Sequence, residues 1–370
     1  MATDSYVLTV SEVIEETADA KSIAFDVPEE LREAFAYTPG QFLTVAVPSD
    51  RDGIASRCYS LSSTPHSGRH QITVKRTVDG YASNWLNDNL KAGDSLRLLP
   101  PSGIFTPKEI NDDFLLFAGG SGITPVLSIA ETALEKGTGQ VVLFYANRDE
   151  KSVIFASRLR ELAESYADRL LVVHWLETVQ GLPTLDQLRA FSARFSTYTA
   201  FVCGPAPFMK AVTDVLKELE FPRSRRHQEK FVTLGGNPFG DVEEVLAAQQ
   251  SIAEVDDPSG DDAETPQPSE PPLSTVSGPV TVEVELDGEN YSFDDWQGDK
   301  PLLEFLEEKG VQAPYSCREG ECSACACMVL EGEVNLRNND VLEDEDLADG
   351  IRLVCQAFPA SEKLRITYNG

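Results

Sequence analysis

Four cysteines near the C-terminal end constrain this chain more than any other feature. They are Cys317, Cys322, Cys325 and Cys355, spaced C-x4-C-x2-C with 29 residues before the fourth. A tight loop presents three thiolates together, and a distant strand supplies the last. Tetrahedral iron takes thiolate ligands, and a 2Fe-2S cluster takes four of them in this spacing. A structural zinc site usually shows two close Cys-x2-Cys pairs, and here the second pair is missing. The intervening Arg318-Glu-Gly-Glu321 and Ser323-Ala324 are small or polar, as a loop wrapped on a cluster requires.

The 370 residues suffice for two or three domains. No apolar run is long enough for a transmembrane helix, and Met1-Ala-Thr-Asp-Ser-Tyr6 lacks the features of a signal peptide. Seven cysteines, four of them in one motif, point to a reducing, cytoplasmic setting rather than to disulfides. Net charge is −30, with 10 acidic and no basic residues over 241–279 and 21 acidic against 7 basic over 280–370. That sign excludes the electrostatics of nucleic-acid binding and suits docking on a basic partner surface.

Short apolar runs between turns fill residues 5–105, among them Tyr6–Val10, Phe42–Val47, Ile72–Lys75 and Ser95–Leu99, with one helix at Ala82–Asn89. This predicts an antiparallel β-barrel domain over 1–108. From 109 to 240, strands at Phe114–Phe117, Val141–Tyr145, Leu170–Trp175 and Thr199–Cys203 alternate with helical stretches, which predicts an α/β domain with a parallel sheet. Residues 241–279 are acidic and proline-rich and read as a linker, flexible over 255–278, with a short helix expected at Val242–Ala253. Residues 280–370 predict an α+β β-grasp domain. A hairpin turns at Asp287-Gly288, a helix follows at Pro301–Lys309, and strands follow the cysteine loop at Ala326–Leu330, Ile351–Cys355 and Lys363–Tyr368.

Arg57-Cys-Tyr59-Ser60 puts Arg57 and Tyr59 on one face of a strand. An arginine offers a phosphate two donors, an aromatic ring stacks on a flavin, and a serine hydroxyl reaches a flavin nitrogen. Downstream, Lys75-Arg-Thr-Val-Asp-Gly80-Tyr-Ala-Ser83 joins a cation and a glycine to a helix start, where backbone amides hold a pyrophosphate. Ala118-Gly-Gly120-Ser-Gly122-Ile-Thr124-Pro125 follows an apolar strand and opens a helix, a setting that favours a phosphate-bearing ligand. It departs from the usual G-x-G-x-x-G, since Pro125 stands near the third glycine's place. Phe201-Val-Cys203-Gly204-Pro205 again ends a strand before a helix.

In this order the motifs resemble the ferredoxin–NADP reductase superfamily over residues 1–235, and residues 280–370 resemble plant-type 2Fe-2S ferredoxins. The resemblance implies FAD held by Arg57, Tyr59, Ser60, Lys75, Gly80 and Ser83. It places a pyridine nucleotide along Gly120, Gly122, Thr124, Gly204 and Pro205. Ser60, Cys203 and Glu229 then stand near the reacting rings. His227-Gln-Glu229-Lys-Phe231 matches the superfamily's closing segment, whose last aromatic covers the flavin; here Phe231 is followed by more chain, and Phe239 is its rival. Asp149 and Glu150 repel a 2′-phosphate while Arg148 and Lys151 attract one; on balance NADH is expected over NADPH.

A nicotinamide delivers two electrons together and a 2Fe-2S cluster accepts one, so a flavin between them is the natural converter. The domain order resembles the reductase components of two-component oxygenases. Tyr145-Ala-Asn-Arg-Asp149 and Leu234-Gly-Gly-Asn-Pro-Phe239 are similar to those of 3-ketosteroid 9α-hydroxylases, Rieske-type systems of steroid degradation. The di-iron phenylacetyl-CoA epoxidases share the domain order. The implied protein is a monomer in transient contact with a terminal oxygenase through its acidic ferredoxin domain, with no nucleic acid or membrane as partner. A non-catalytic electron carrier and a redox sensor are the readings from other classes; bound flavin and turnover with an artificial acceptor discriminate against both.

Overall fold

The computed structural model describes residues 5–49, 53–78, 80–231, 239, 276, 278–286, 288–311, 313–315, 317–320, 322–342 and 344–368. The expected helix at 242–253 and the flexible stretch expected at 255–278 lie outside them, apart from 276 and 278. Two compact units emerge, the described residues 5–231 forming the first and the described residues 239 and 276–368 the second. Among the described residues no helix is long and apolar enough to cross a membrane.

The first unit begins with β1 (Tyr6–Thr17), β2 (Ala20–Asp26), β3 (Phe42–Ser49), β4 (Gly53–Ser60), β5 (His70–Lys75) and β6 (Ser95–Leu98), with α1 (Tyr81–Asn89) between the last two. They form one antiparallel sheet in the order β4-β3-β6-β1-β2-β5. A bridge between Leu61, just past β4, and Ile72 on β5 joins the two edges, and the Ser62 amide donates to the Gln71 carbonyl at 2.7 Å. The sheet thereby closes at the Leu61–Ser62 end into the expected barrel. Leu8, Val10, Ile23, Leu43, Val45, Ile72 and Val74 fill it, and α1 plugs it with Ala82 and Leu86.

The parallel sheet follows, with β7 (Phe114–Gly119), α2 (Ile123–Lys136), β8 (Val141–Asn147), α3 (Ala156–Ser165), β9 (Leu170–Leu176), α4 (Glu177–Gln180), α5 (Leu185–Ser192), β10 (Thr199–Cys203), α6 (Ala206–Glu218) and β11 (Arg226–Glu229). Its order is β11-β10-β7-β8-β9. All six residues of β7 are buried, because helices cover both faces. Phe114, Leu116 and Ala118 join α2 and α3 in one core, while Leu115 and Phe117 join α5 and α6 in another. Order reverses between β7 and β10, which creates the crevice at their carboxyl ends where such sheets bind ligands. The barrel and this sheet share packing: Ala20 and Phe105 of the barrel region belong to the α2–α3 core, and buried Ser128 Oγ on α2 donates to the Ser63 carbonyl at 2.6 Å.

The second unit contains β12 (Val280–Leu286), β13 (Glu289–Trp296), α7 (Leu302–Glu308), β14 (Ala326–Glu331), β15 (Val334–Leu336), α8 (Asp344–Ala348), β16 (Ile351–Leu353), β17 (Ala357–Pro359) and β18 (Lys363–Thr367). The main sheet runs β13-β12-β18-β14-β16, with β15 and β17 as a separate ribbon. β12 alternates buried and half-buried residues, the pattern of a sheet with one packed face. The strand expected at Ile351–Cys355 stops at Leu353. The chain turns there, with the Gln356 amide donating to the Leu353 carbonyl at 3.0 Å, and this turn carries Cys355 off the sheet.

Candidate functional site

The barrel motif sits on β4, paired with β3 so that Arg57 faces Val45, Tyr59 faces Leu43 and Ser60 faces Phe42. Ser60 is buried. Tyr59 packs against the barrel core, and burial pushes its phenol above the ordinary tyrosine range, so it stays neutral. Arg57 Nη1 donates to the Ser56 carbonyl at 2.7 Å. At the start of α1, Gly80 is the N-cap, and Ser83 Oγ accepts from the Thr77 amide at 3.0 Å. Lys75 closes β5 and pairs with Asp19 at 3.7 Å. Its Nζ lies 3.9 Å from the point where a Cβ on Gly120 would stand. The barrel thus delivers an ammonium group to the glycine loop of the parallel sheet, a fit for a phosphate-bearing cofactor shared by both.

That loop is shaped by what it cannot carry. A Cβ at Gly122 would stand 2.2 Å from the Cys203 carbonyl oxygen, so only glycine lets α2 start this close to the end of β10. Tyr145 Oη on β8 donates to the Gly120 carbonyl at 3.1 Å, and Thr124 Oγ1 donates to the Ser121 carbonyl at 3.1 Å. Across the crevice, Pro205 is the N-cap of α6, and a Cβ on Gly119 would meet its Cδ at 2.8 Å and Gly204 Cα at 3.5 Å. Gly120, Gly122, Thr124, Gly204 and Pro205 therefore converge at the switch point.

Cys203 and Glu229 end neighbouring parallel strands in register. Both are buried. Burial, with Glu229 nearby, raises the Cys203 thiol well above its ordinary value, so it is a protonated thiol and not a nucleophile. Burial alone lifts Glu229 to about 8, so at neutral pH this carboxyl holds a proton. On the same strand His227 stacks on Phe201 with ring centroids 4.5 Å apart; burial, then Arg223 and Lys108, lower it to about 4. Phe231 is 48% exposed, whereas Phe239 is 3% exposed. Nothing in the sequence marks the contacts of Tyr145 and His227: Tyr145 reads as one more apolar residue of a core strand.

In the second unit Cys317, Cys322, Cys325 and Cys355 are all buried. The Cys317 and Cys322 sulfurs are 3.2 Å apart, and Cys355 lies against both Cys317 and Cys325. Four converging thiols from one loop and one turn fit the donor set of a 2Fe-2S cluster. Backbone and side chains hold the loop open around them. Gly320 has φ +78°, and a Cβ there would stand 2.6 Å from the Asn338 carbonyl oxygen. Arg318 donates to both Glu307 carboxylate oxygens of α7, at 3.1 and 2.5 Å, and lies over Tyr315 at 4.1 Å from the ring centre. Gln356 Nε2 donates to the Arg318 carbonyl at 2.5 Å, and the Glu319 amide to Cys317 Sγ at 3.4 Å.

A dinucleotide crevice that shares a core with a flavin-type barrel makes sense only if the two ligands react with each other. Comparison with protein families agrees: residues 7–106 match the oxidoreductase FAD-binding domain, 116–214 the oxidoreductase NAD-binding domain and 284–360 the 2Fe-2S iron-sulfur cluster binding domain. The class is that of NAD(P)H-dependent oxidoreductases using FAD and a 2Fe-2S cluster.

The chain is 53% identical over 365 residues to the 3-ketosteroid-9-alpha-monooxygenase, ferredoxin reductase component, of Rhodococcus rhodochrous, covering 98% of this chain and 97% of that one. It belongs to the family of these ferredoxin reductase components. It is 30% identical to a component of the 1,2-phenylacetyl-CoA epoxidase of Escherichia coli, covering 98% and 97% of the two chains. The solved structure of phthalate dioxygenase reductase shares its fold, with a TM-score of 0.54, 23% identity and 98% of both chains covered.

Proposed function

We propose that this chain draws electrons from NADH and supplies them to a terminal Rieske-type oxygenase, a 3-ketosteroid 9α-hydroxylase of steroid degradation, in the cytoplasm. The observation that carries the reading is the 53% identity along nearly the whole length of both chains, against 30% to the epoxidase component. Bound FAD would supply the chemistry that converts a two-electron donor to single-electron delivery.

The remaining work falls to the chain's own residues. Arg57 and Lys75 would offer positive charge to the FAD phosphates, Gly80 and Ser83 would form the turn that receives them, and Tyr59 would stack on the flavin. The glycine loop and Gly204-Pro205 set the nicotinamide in the crevice. Ser60 would offer its hydroxyl to the flavin, Cys203 would back the nicotinamide from beneath at the end of its strand, and Glu229 would hold a proton on the neighbouring strand. Phe231, being exposed, is available as the flavin's cover. The preference for NADH is supported by Asp149, which accepts from Arg148 Nε at 3.1 Å and from Ser152 at 2.7 and 3.0 Å. Its carboxylate offsets the Arg148 charge that a 2′-phosphate needs. In the ferredoxin unit the acidic stretch Asp340–Asp349 favours transient docking of the monomer on a basic oxygenase surface.

The test is reconstitution. Purified protein with NADH and a 3-ketosteroid 9α-hydroxylase oxygenase is expected to hydroxylate the steroid, whereas the di-iron epoxidase is expected to stay idle. Turnover with the epoxidase alone would overturn the assignment. Docking is checked by salt: transfer to the oxygenase slows as ionic strength rises, and a salt-independent rate rules the acidic face out.

A further inference from the structure

Gln356 directly follows the fourth cysteine, on the turn that carries Cys355 off the sheet. It is a buried polar residue, 3% exposed. Its side-chain nitrogen has two N–H groups to place. Nε2 donates to the Arg318 carbonyl at 2.5 Å. A carbonyl only accepts, so this contact fixes which end of the amide is the nitrogen. The same Nε2 lies 3.7 Å from Cys355 Sγ, in donor geometry. Gly320 gives the side chain its room: a Cβ there would stand 3.0 Å from Gln356 Cγ.

The backbone around Cys355 leaves this work to the side chain. The amides of Val354, Gln356 and Ala357 donate to the carbonyls of Cys325, Leu353 and Val354, at 3.3, 3.0 and 3.4 Å. Cys317 differs, because the Glu319 amide donates to its Sγ at 3.4 Å. The fourth cysteine thus receives from a side chain what the first receives from the main chain. Sulfur bound to iron is anionic and accepts hydrogen bonds, and such bonds are one of the protein's levers on a cluster's potential.

We propose that the second N–H of Gln356 donates to the Cys355 sulfur when the cluster is bound, and so raises the cluster's reduction potential. Reduction adds negative charge to the cluster, and a donor stabilises the more negative state more. Gln356 is a tuning residue: it touches no substrate and moves no proton during transfer. Its other N–H holds the Arg318 carbonyl, so one amide joins the turn of the fourth ligand to the loop of the first three. The proposal rests on the four-cysteine ligand assignment, and it adds a function to a residue outside the cysteine motif.

The experiment uses full-length Gln356→Met protein carrying its cofactors. Methionine keeps an unbranched side chain and removes both N–H groups. Anaerobic redox titration, followed by visible absorbance and electron paramagnetic resonance, is expected to show a cluster that is retained but harder to reduce. At a fixed ambient potential the reduced-to-oxidised ratio should drop about tenfold, about 59 mV for one electron. An unchanged midpoint overturns the proposal.

A second readout separates tuning from mere packing. In wild-type protein with heavy nitrogen only in glutamine side chains, double-resonance spectra of the reduced cluster should show a nitrogen coupling that disappears in Gln356→Met. A midpoint that falls while the coupling persists makes Gln356 a packing residue and overturns the proposal. If the methionine variant does not accumulate, the wild-type spectrum decides, and the absence of any glutamine coupling overturns the proposal. The ligand assignment fails separately, if Cys355→Ala keeps the wild-type cluster spectrum.

Discussion

The glycine crevice of the first unit and the cysteine loop of the second solve opposite problems. The crevice is made by leaving atoms out: a single added carbon at Gly122 would meet the Cys203 carbonyl oxygen at 2.2 Å. The cysteine loop is made by putting atoms in, four sulfurs buried together and held by side-chain hydrogen bonds from Arg318, Asn338 and Gln356. One site works through backbone shape and the other through side-chain chemistry. They should therefore break differently, the first by enlargement and the second by deletion.

Deletion in the cysteine loop is expected to have the largest effect. Cys322→Ser removes one of four ligands and should abolish the cluster's visible absorbance and all transfer to the oxygenase, while NADH-driven ferricyanide reduction persists. Joint loss of both activities would erase the distinction between the two sites. Enlargement in the crevice comes next. Gly122→Ala forces backbone apart, so a loss of about 1–3 kcal/mol is expected for such overpacking, together with a raised KM for NADH and an unaltered cluster spectrum. Urea unfolding and steady-state kinetics measure the two parts. Tyr59→Ala should then weaken flavin retention by about tenfold, the scale of one lost aromatic contact; undiminished flavin after gel filtration removes its stacking role.

Glu229→Gln is expected to change least at neutral pH, because the amide resembles the protonated acid already present. Its signature is a slope. The folded carboxyl titrates at about 8 against an ordinary value of 4.5, so between those values the folded state keeps a proton that the unfolded chain releases. Stability from this group is therefore full below about pH 4.5, declines as pH rises toward 8 and is flat above. Urea midpoints of wild type should show that decline, and Glu229→Gln should lack it. Parallel pH profiles for the two proteins would assign the slope elsewhere.

The same contrast explains what a reader of the bare sequence can see. Cysteine spacing and glycine loops are legible because each residue type is the only one that does its job. β7, β8 and β10 are legible as apolar runs because parallel strands are buried on both faces. β11 is not: Arg226-His-Gln-Glu229 is polar throughout, and it is a strand only because β10 offers its edge. The three-residue β15 and β17 are equally invisible, too short for a period to register. A strand expected over Ile351–Cys355 runs two residues too long, because nothing in Leu-Val-Cys says that the cysteine must leave the sheet. Tyr145 looks like a packing residue, since periodicity reports which side chains are buried and not where their hydroxyls point.

The order of strands in the second unit has a consequence for its birth on the ribosome. β18 lies at the centre of the sheet, between β12, which opens the unit, and β14. The first-made described strand of the unit therefore has no neighbour on that side until the last-made described strand has emerged. Domains generally fold as units during synthesis, and this one must wait for residues 363–367 before its two halves can join. The cysteine loop is translated well before that moment, so its thiols spend an interval outside a finished fold. The sheet that carries the cysteine loop is therefore completed by a strand that holds none of the four cysteines.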